Sequence, residues 1–386
     1  MSTLSRGFAV NDTPSIAAAV GCFAIAVQVF MIMPIYVGAL ADSYGFDNRQ
    51  LGWITSSELS GQAIAILLAL AWIRQLSWRT MMLSAGLLLV TCNLLSIYAD
   101  GAFTFLLFLR GLAGFAVGTV LAIGCTLLGD TAQADRNFGL LIGAEVFLQI
   151  ILFALLPTYV ADYGVNVIYF ALALLALIVL PLSLLIPEQG SRLDAADTSG
   201  LPRFGLPVLG LLGTVIFFAG IMLVWSFIER LGIAWGIEPA EIGEALSISG
   251  VISLAGALFA AALADRLGRL LPMLAGAAGI LLSYWILATQ ASYWNFVLAA
   301  SLLAVFWNFW LPYQMGAVAA VDIAGRYVVL IPFAQSLGVA VGPVIAGQIL
   351  VDNNFVPLMY FSSLFLIVCL LIFMPLLRTI RTGAVR

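Results

Sequence analysis

Apolar runs of about 20 residues, parted by short polar breaks, follow one another along the whole chain. Within each run the apolar positions are continuous rather than alternating, and a helix of that length crosses a hydrocarbon core of about 30 Å. Backbone in lipid must pair its own N–H and C=O groups, which leaves helices or a closed barrel, and continuous runs select helices. The pattern predicts spans near 16–40, 51–73, 81–98, 103–128, 138–161 and 166–186, then 206–228, 242–263, 271–289, 296–320, 327–351 and 357–377. The expected fold class is all-α integral membrane, with twelve transmembrane helices.

An even number of spans places both termini on one side of the membrane, and arginine decides which. With the termini inside, twelve arginines lie in inner segments and only Arg49 and Arg230 in outer loops. Positive charge concentrates on the cytoplasmic side. Cytoplasmic N- and C-termini are therefore expected, in a multi-pass protein of the bacterial inner membrane. The polar stretch from Met1 to Pro14 has Arg6 as its single basic residue and no leader pattern, so span 1 should act as its own insertion signal. The longest inner connection, Pro187 to Phe204, is rich in Pro, Gly, Ser and Asp and reads as a solvated linker. It divides the chain into a bundle over 1–186, a linker over 187–205 and a bundle over 206–386. Two six-helix bundles joined in this way are the layout of transporters built from parallel repeats, whose substrate lies near the bilayer midplane between the repeats.

Composition sharpens this picture by exclusion. Hydrophobic residues make up 63% and charged residues 9% of the 386, against roughly half and a quarter in soluble domains. Histidine and lysine are both absent. That removes Ser-His-Asp catalysis, histidine proton relays and histidine-ligated metals, and a membrane-embedded enzyme would need such a base or metal cluster. No soluble signalling domain is in evidence, and no basic tract suggests nucleic acid. Cys22, Cys92, Cys125 and Cys369 all fall in predicted spans, where they act as small hydrophobes. No cofactor and no metal is expected.

Three short motifs carry a resemblance. After span 8 the residues Ala262, Leu263, Ala264, Asp265, Arg266, Leu267, Gly268 and Arg269 follow the pattern G-x-L-A-D-R-x-G-R-R, with Ala261 at its first glycine. Span 4 contains Arg110, Gly111, Ala113, Gly114 and Gly118 in the pattern R-x-x-Q-G-x-G-A-A, with Ala113 at the glutamine. Span 11 carries Gly338, Gly342, Pro343 and Gly347 as a glycine-proline motif. Together with the span count and orientation, these features resemble the major facilitator superfamily of secondary transporters. The resemblance implies a conformational latch of loop charges, namely Asp265, Arg266 and Arg269, with Asp130 and Arg136 after span 4 echoed by Asp322 and Arg326 after span 10. It implies that spans 1, 4, 7 and 10 line the cavity, and it associates the span-4 arginine with proton coupling. The stretch after span 2, Leu70 to Arg79, lacks the motif's Asp and Gly, and span 5 lacks the Gly-Pro of drug antiporters.

Charges at membrane depth cost about 2.5 to 3.5 kcal/mol on insertion scales, so each marks a candidate site. Glu58 and Arg110 both lie seven residues in from the outer ends of spans 2 and 4, roughly 10 Å deep. Equal depth allows an ion pair that a proton or a substrate anion could release. Its structural alternative is a static bridge between helices. Glu145 has no basic residue at its own depth and is a candidate proton carrier, with Gln149 one turn along the same face. The C-terminal spans lack mid-membrane charge, with Glu229, Arg230, Glu241 and Glu244 near the outer boundary. Span 10 instead offers Trp307, Asn308, Trp310, Tyr313 and Gln314. With Trp225 of span 7 and Gln28 of span 1, these residues could give an aromatic wall with a few hydrogen bonds, or could pack against lipid and neighbouring helices.

The expected function is secondary active transport, proton-coupled, of a small organic solute that is anionic or aromatic and amphipathic. The alternative is a multidrug or metabolite efflux antiporter. The expected partners are that solute, protons and membrane lipids, with no nucleic acid, in a monomeric carrier.

Overall fold

The computed structural model describes residues 8–190, 205–263, 268–289, 291–322, 327–351 and 354–382. Among them the chain is helical throughout its ordered elements. The first half holds α1 (Thr13–Ala26), α2 (Gln28–Met31), α3 (Met33–Tyr44), α4 (Asn48–Trp72), α5 (Trp78–Tyr98), α6 (Phe103–Asp130), α7 (Ala134–Tyr163) and α8 (Asn166–Ser183). The second half holds α9 (Leu206–Trp225), α10 (Ile228–Ala234), α11 (Pro239–Leu263), α12 (Leu270–Thr289), α13 (Tyr293–Val321), α14 (Ile331–Ile349) and α15 (Val356–Thr382), with a short 3-10 turn before α14. Nine helical stretches among the described residues are long and apolar enough to cross a membrane, one of them running from Leu206 to Ala234 through α9 and α10. The other three expected positions are occupied by α1 to α3, by α11 and by α14.

The first span differs from the single rod that hydropathy suggests. It breaks at Val27 and again at Ile32. Pro34 stands just after the second break; it lacks the N–H that the Phe30 carbonyl would otherwise receive. Span 7 breaks between α9 and α10 at Ser226 and Phe227, where no proline intervenes.

The chain forms two compact units: residues 1–32, 57–149 and 165–198 in the first, and 33–56, 150–164 and 199–386 in the second. Three of the five unit boundaries fall inside α4, inside α7 and at the second break of span 1. Most of the stretch expected as a linker lies outside the described residues.

In the first unit α5 packs on α6 and α8, and α1 on α6 and α8, around a core that includes Cys22, Phe23, Trp78, Met82, Val120 and Ile123. Glycine brings α4 and α6 into backbone contact. A side chain at Gly114 would overlap the Glu58 carbonyl, one at Gly118 the Gln62 carbonyl, and one at Gly61 the Gly111 carbonyl. Helix contact in lipid rests on such close packing, because lipid tails are as apolar as the side chains.

In the second unit α11 packs on α13, and α9 on α14 and α15. The glycine-proline motif of α14 serves the same end. Gly338 lies against the Val215 carbonyl and Gly342 against Met222 and the Ala219 carbonyl, all in α9. On another side of α14, Gly52 meets the Pro343 carbonyl and Gly347 the Asn48 carbonyl, while the Asn48 amide donates to the Leu350 carbonyl at 3.2 Å.

Candidate functional site

Arg110 is fully buried at the centre of a polar cluster in the first unit. Its Nη1 donates to Asn93 Oδ1 at 3.0 Å and its Nη2 to Ser96 Oγ at 2.9 Å. Asn93 and Ser96 lie three residues apart on α5 and so share one face. The guanidinium also lies over the Tyr169 ring, 5.0 Å from its centroid. Glu58 Oε1 stands 3.6 Å from Arg110 Nη1, and among the described residues neither oxygen of this carboxylate accepts a hydrogen bond. The two charges therefore differ in how they are held. Neutral acceptors fix the guanidinium, whereas the carboxylate is retained by Coulomb attraction and by the close packing of α4 on α6.

A second polar group sits at the breaks of span 1. Gln28 is fully buried, donates from Nε2 to the Ala24 carbonyl at 2.6 Å, and reaches the Glu145 carbonyl at 3.4 Å. Its Oε1 accepts nothing among the described residues. Gln149 donates to the Met31 carbonyl at 3.0 Å, satisfying a backbone group at the irregular turn between α2 and α3. The structure thus brings Gln28, Glu145 and Gln149 together through backbone carbonyls, with Glu145 itself 9% exposed.

The aromatic residues of α13 gather in the second unit. Trp310 is fully buried, stacks on Phe217 of α9 at 5.1 Å and donates from Nε1 to Gln314 at 3.1 Å. Trp307 meets Phe218 and Trp225 edge-on at 6.1 and 6.2 Å, and Trp225 meets Phe153 of α7. Tyr313 packs on Phe309 of its own helix, and Asn308 is half-buried. The tryptophans therefore knit α13 to α9 as well as facing one another, and Trp310 and Gln314 have no exposed surface to offer in this arrangement beyond 1%.

Of the expected latch residues, Asp265, Arg266 and Arg326 lie outside the described residues. Arg269 lies over Gly316 of α13. Asp322 accepts from the N–H groups of Tyr327 and Val328 at 2.7 and 2.9 Å, capping the 3-10 turn. Arg136 bonds locally to Gln133. Asp130 takes a bidentate bond from Arg74, at 2.5 and 3.0 Å. Arg74 belongs to the stretch after span 2 that lacks the motif's Asp and Gly, and its partner comes instead from the end of α6. Sequence reasoning missed Arg74 in this role, and it missed Asn93, Ser96 and Tyr169. The i, i+3 spacing that puts Asn93 and Ser96 on one face of span 3 was the available signal for them.

Glu229, expected near an outer boundary, is 6% exposed and lies against Gly38 of α3.

A polytopic helical membrane protein with an ion pair buried in its helix packing is the class that this fold and cluster define. The sequence profile of the Major Facilitator Superfamily matches residues 18–206 and 210–386. The chain belongs to the Major Facilitator Superfamily, a family of membrane transporters. A search among curated protein sequences returns no match. Solved structures share the fold at low identity. The nucleoside transporter NupG matches at 13% identity and a TM-score of 0.74, covering 95% of this chain and 99% of its own. The xylose transporter XylE from E. coli, in an inward open conformation, matches at 17% identity and 0.75, covering 93% and 95%. A bacterial homolog of the human lysosomal transporter Spinster matches at 10% identity and 0.67, covering 96% of each chain.

Proposed function

We propose that this chain is a proton-coupled secondary transporter of a small organic solute with an anionic or polar head and an apolar or aromatic body. It works by alternating access in the bacterial inner membrane, with twelve spans in two six-helix repeats and both termini cytoplasmic. The observation that carries this reading is the asymmetry of the Glu58 and Arg110 pair. Asn93 and Ser96 hold the guanidinium in place whatever the state of Glu58. Glu58 accepts no hydrogen bond among the described residues, so protonation or a competing anion frees it with only the Coulomb term to replace. An arginine so released offers two-pronged recognition of a carboxylate or phosphate. A protonated Glu58 and an anion on Arg110 satisfy the same charge balance as the empty pair, which is the linkage that couples the two ligands.

Glu145 supplies a second place for a proton, and Gln28 Oε1 a free acceptor for a solute hydroxyl or amine. The latch falls to Arg269, Asp130, Asp322 and their loop neighbours, with Arg74 added.

The test is a thermal-shift screen of the purified protein in mildly acid and mildly alkaline buffer, against organic acids, aromatic acids, sugars, nucleosides and amphipathic drugs. Ligands that bind the folded state raise its melting temperature. The reading requires pH-dependent stabilisation by an anionic or polar organic solute that disappears in Arg110→Ala. Stabilisation by cationic or neutral amphiphiles alone would point to the efflux antiporter instead.

A further inference from the structure

A cavity of about 320 Å³ lies in the second unit, walled by Ile35 and Ala39 of α3, Pro157, Val160 and Ala161 of α7, and Glu229 of α10. That volume is at the lower edge of the roughly 300 to 1,000 Å³ usual for small-molecule sites. Asp42 and Ser43, also in the wall, are exposed and mark its open side.

The charges in the wall do not balance. Arg230, beside the wall rather than in it, donates to Asp42 at 2.6 Å, so those two cancel. Glu229 is left over. Its side chain is buried, and among the described residues its Oε2 accepts no hydrogen bond. The carboxylate occupies the place that a side chain on Gly38 would take, which fixes it against α3 at the cavity. Around it Pro157 and Pro239 have no N–H, Ile35, Ala39 and Val160 are aliphatic, and the wall's one hydroxyl, on Ser43, does not bond Glu229 Oε2. A buried carboxylate oxygen without a donor is costly, and a group that brings both a donor and a positive charge removes that cost.

We infer that this cavity is a binding site for a small organic cation, an alkylammonium whose N–H groups meet Glu229 while its alkyl body lies against Ile35, Ala39 and Val160. The site goes beyond the transport reading and does not depend on Arg110: its residues all belong to the second unit, and its ligand has the opposite charge. Selectivity against anions follows from Glu229, and selectivity against large cations from the cavity volume.

The experiment is calorimetric titration of the full-length protein in lipid nanodiscs with n-butylammonium, n-butanol and butyrate. Butylammonium should bind at one per chain, with n-butanol and butyrate at least ten-fold weaker. Glu229→Gln, which keeps the shape and removes the charge, should weaken butylammonium at least ten-fold. Ala161→Leu, which fills the cavity and leaves the carboxylate, should do the same, and it decides the matter if Glu229→Gln fails to fold. Three results overturn the inference: no binding of butylammonium, n-butanol or butyrate binding as tightly, or unchanged butylammonium affinity in either variant.

Discussion

Glu58→Gln keeps the shape of the side chain and leaves Arg110 as a buried cation without its counter-charge. Two unit charges 3.6 Å apart attract by about 4 to 5 kcal/mol at an effective dielectric near 20. Not all of that is lost, because Asn93 and Ser96 still bond the guanidinium and Tyr169 still faces it. We therefore expect Glu58→Gln to cost about 2 to 4 kcal/mol, at or below the range for breaking a buried pair. Arg110→Gln should cost more, since it orphans Asn93 and Ser96 as well as Glu58. In the double variant both charges are gone. Its cost should fall short of the sum of the single costs by about 2 to 3 kcal/mol, the signature of direct coupling. The assay is chemical unfolding of the purified protein in mixed micelles, read as a double-mutant cycle. Additivity to within about 0.5 kcal/mol would refute the claim that these residues stabilise one another, and with it the idea that releasing Glu58 changes the state of Arg110.

Gly114→Leu should abolish most folded protein on size-exclusion chromatography, because its Cβ falls on the Glu58 carbonyl, whereas Gly129→Ala meets nothing within 4 Å and should be tolerated. Arg74→Gln removes the bidentate bond to Asp130, a carboxylate 4% exposed at its side chain, and should destabilise by about 1 to 3 kcal/mol in the same unfolding assay. Arg74→Lys should recover only part of that, since a point charge cannot reproduce the bidentate geometry. Trp310→Ala should cost about 3 to 5 kcal/mol as a large cavity in a packed core, and Trp310→Phe much less, because the stack on Phe217 survives; equal costs would mean that the stack contributes little. Glu145→Gln should flatten the pH dependence of transport in vesicles, and an unaltered pH profile would confine Glu145 to a structural role.

Span positions were legible because hydropathy alone decides what enters lipid, and every expected span coincides with a helix or a broken helix. The breaks themselves were harder to see. Pro34 marks one of them in the sequence, but the turn at Ser226 and Phe227 carries no proline and no glycine. Pairings at depth followed from counting residues inward, which put Glu58 and Arg110 at one level. The partners that hold Arg110 are neutral and come from α5 and α8, so no charge pattern announced them. Glu229 shows the opposite limit. Its position near the end of an apolar run reads as a boundary, but its burial depends on the glycine at Gly38, more than 190 positions away in the chain. Trp310 and Gln314 shared a helical face as expected, and only the facing ring of Phe217 reveals that this face is packed against α9.

The most direct test of the account is solute-driven proton movement in proteoliposomes, with a pH-sensitive dye inside and the solute found by the stability screen added outside. The wild-type protein should move protons when solute is added, and Arg110→Lys, which keeps the charge but loses the fork held by Asn93 and Ser96, should lose most of that signal while remaining folded. Solute uptake without proton movement, or undiminished proton movement in Arg110→Lys, would contradict it.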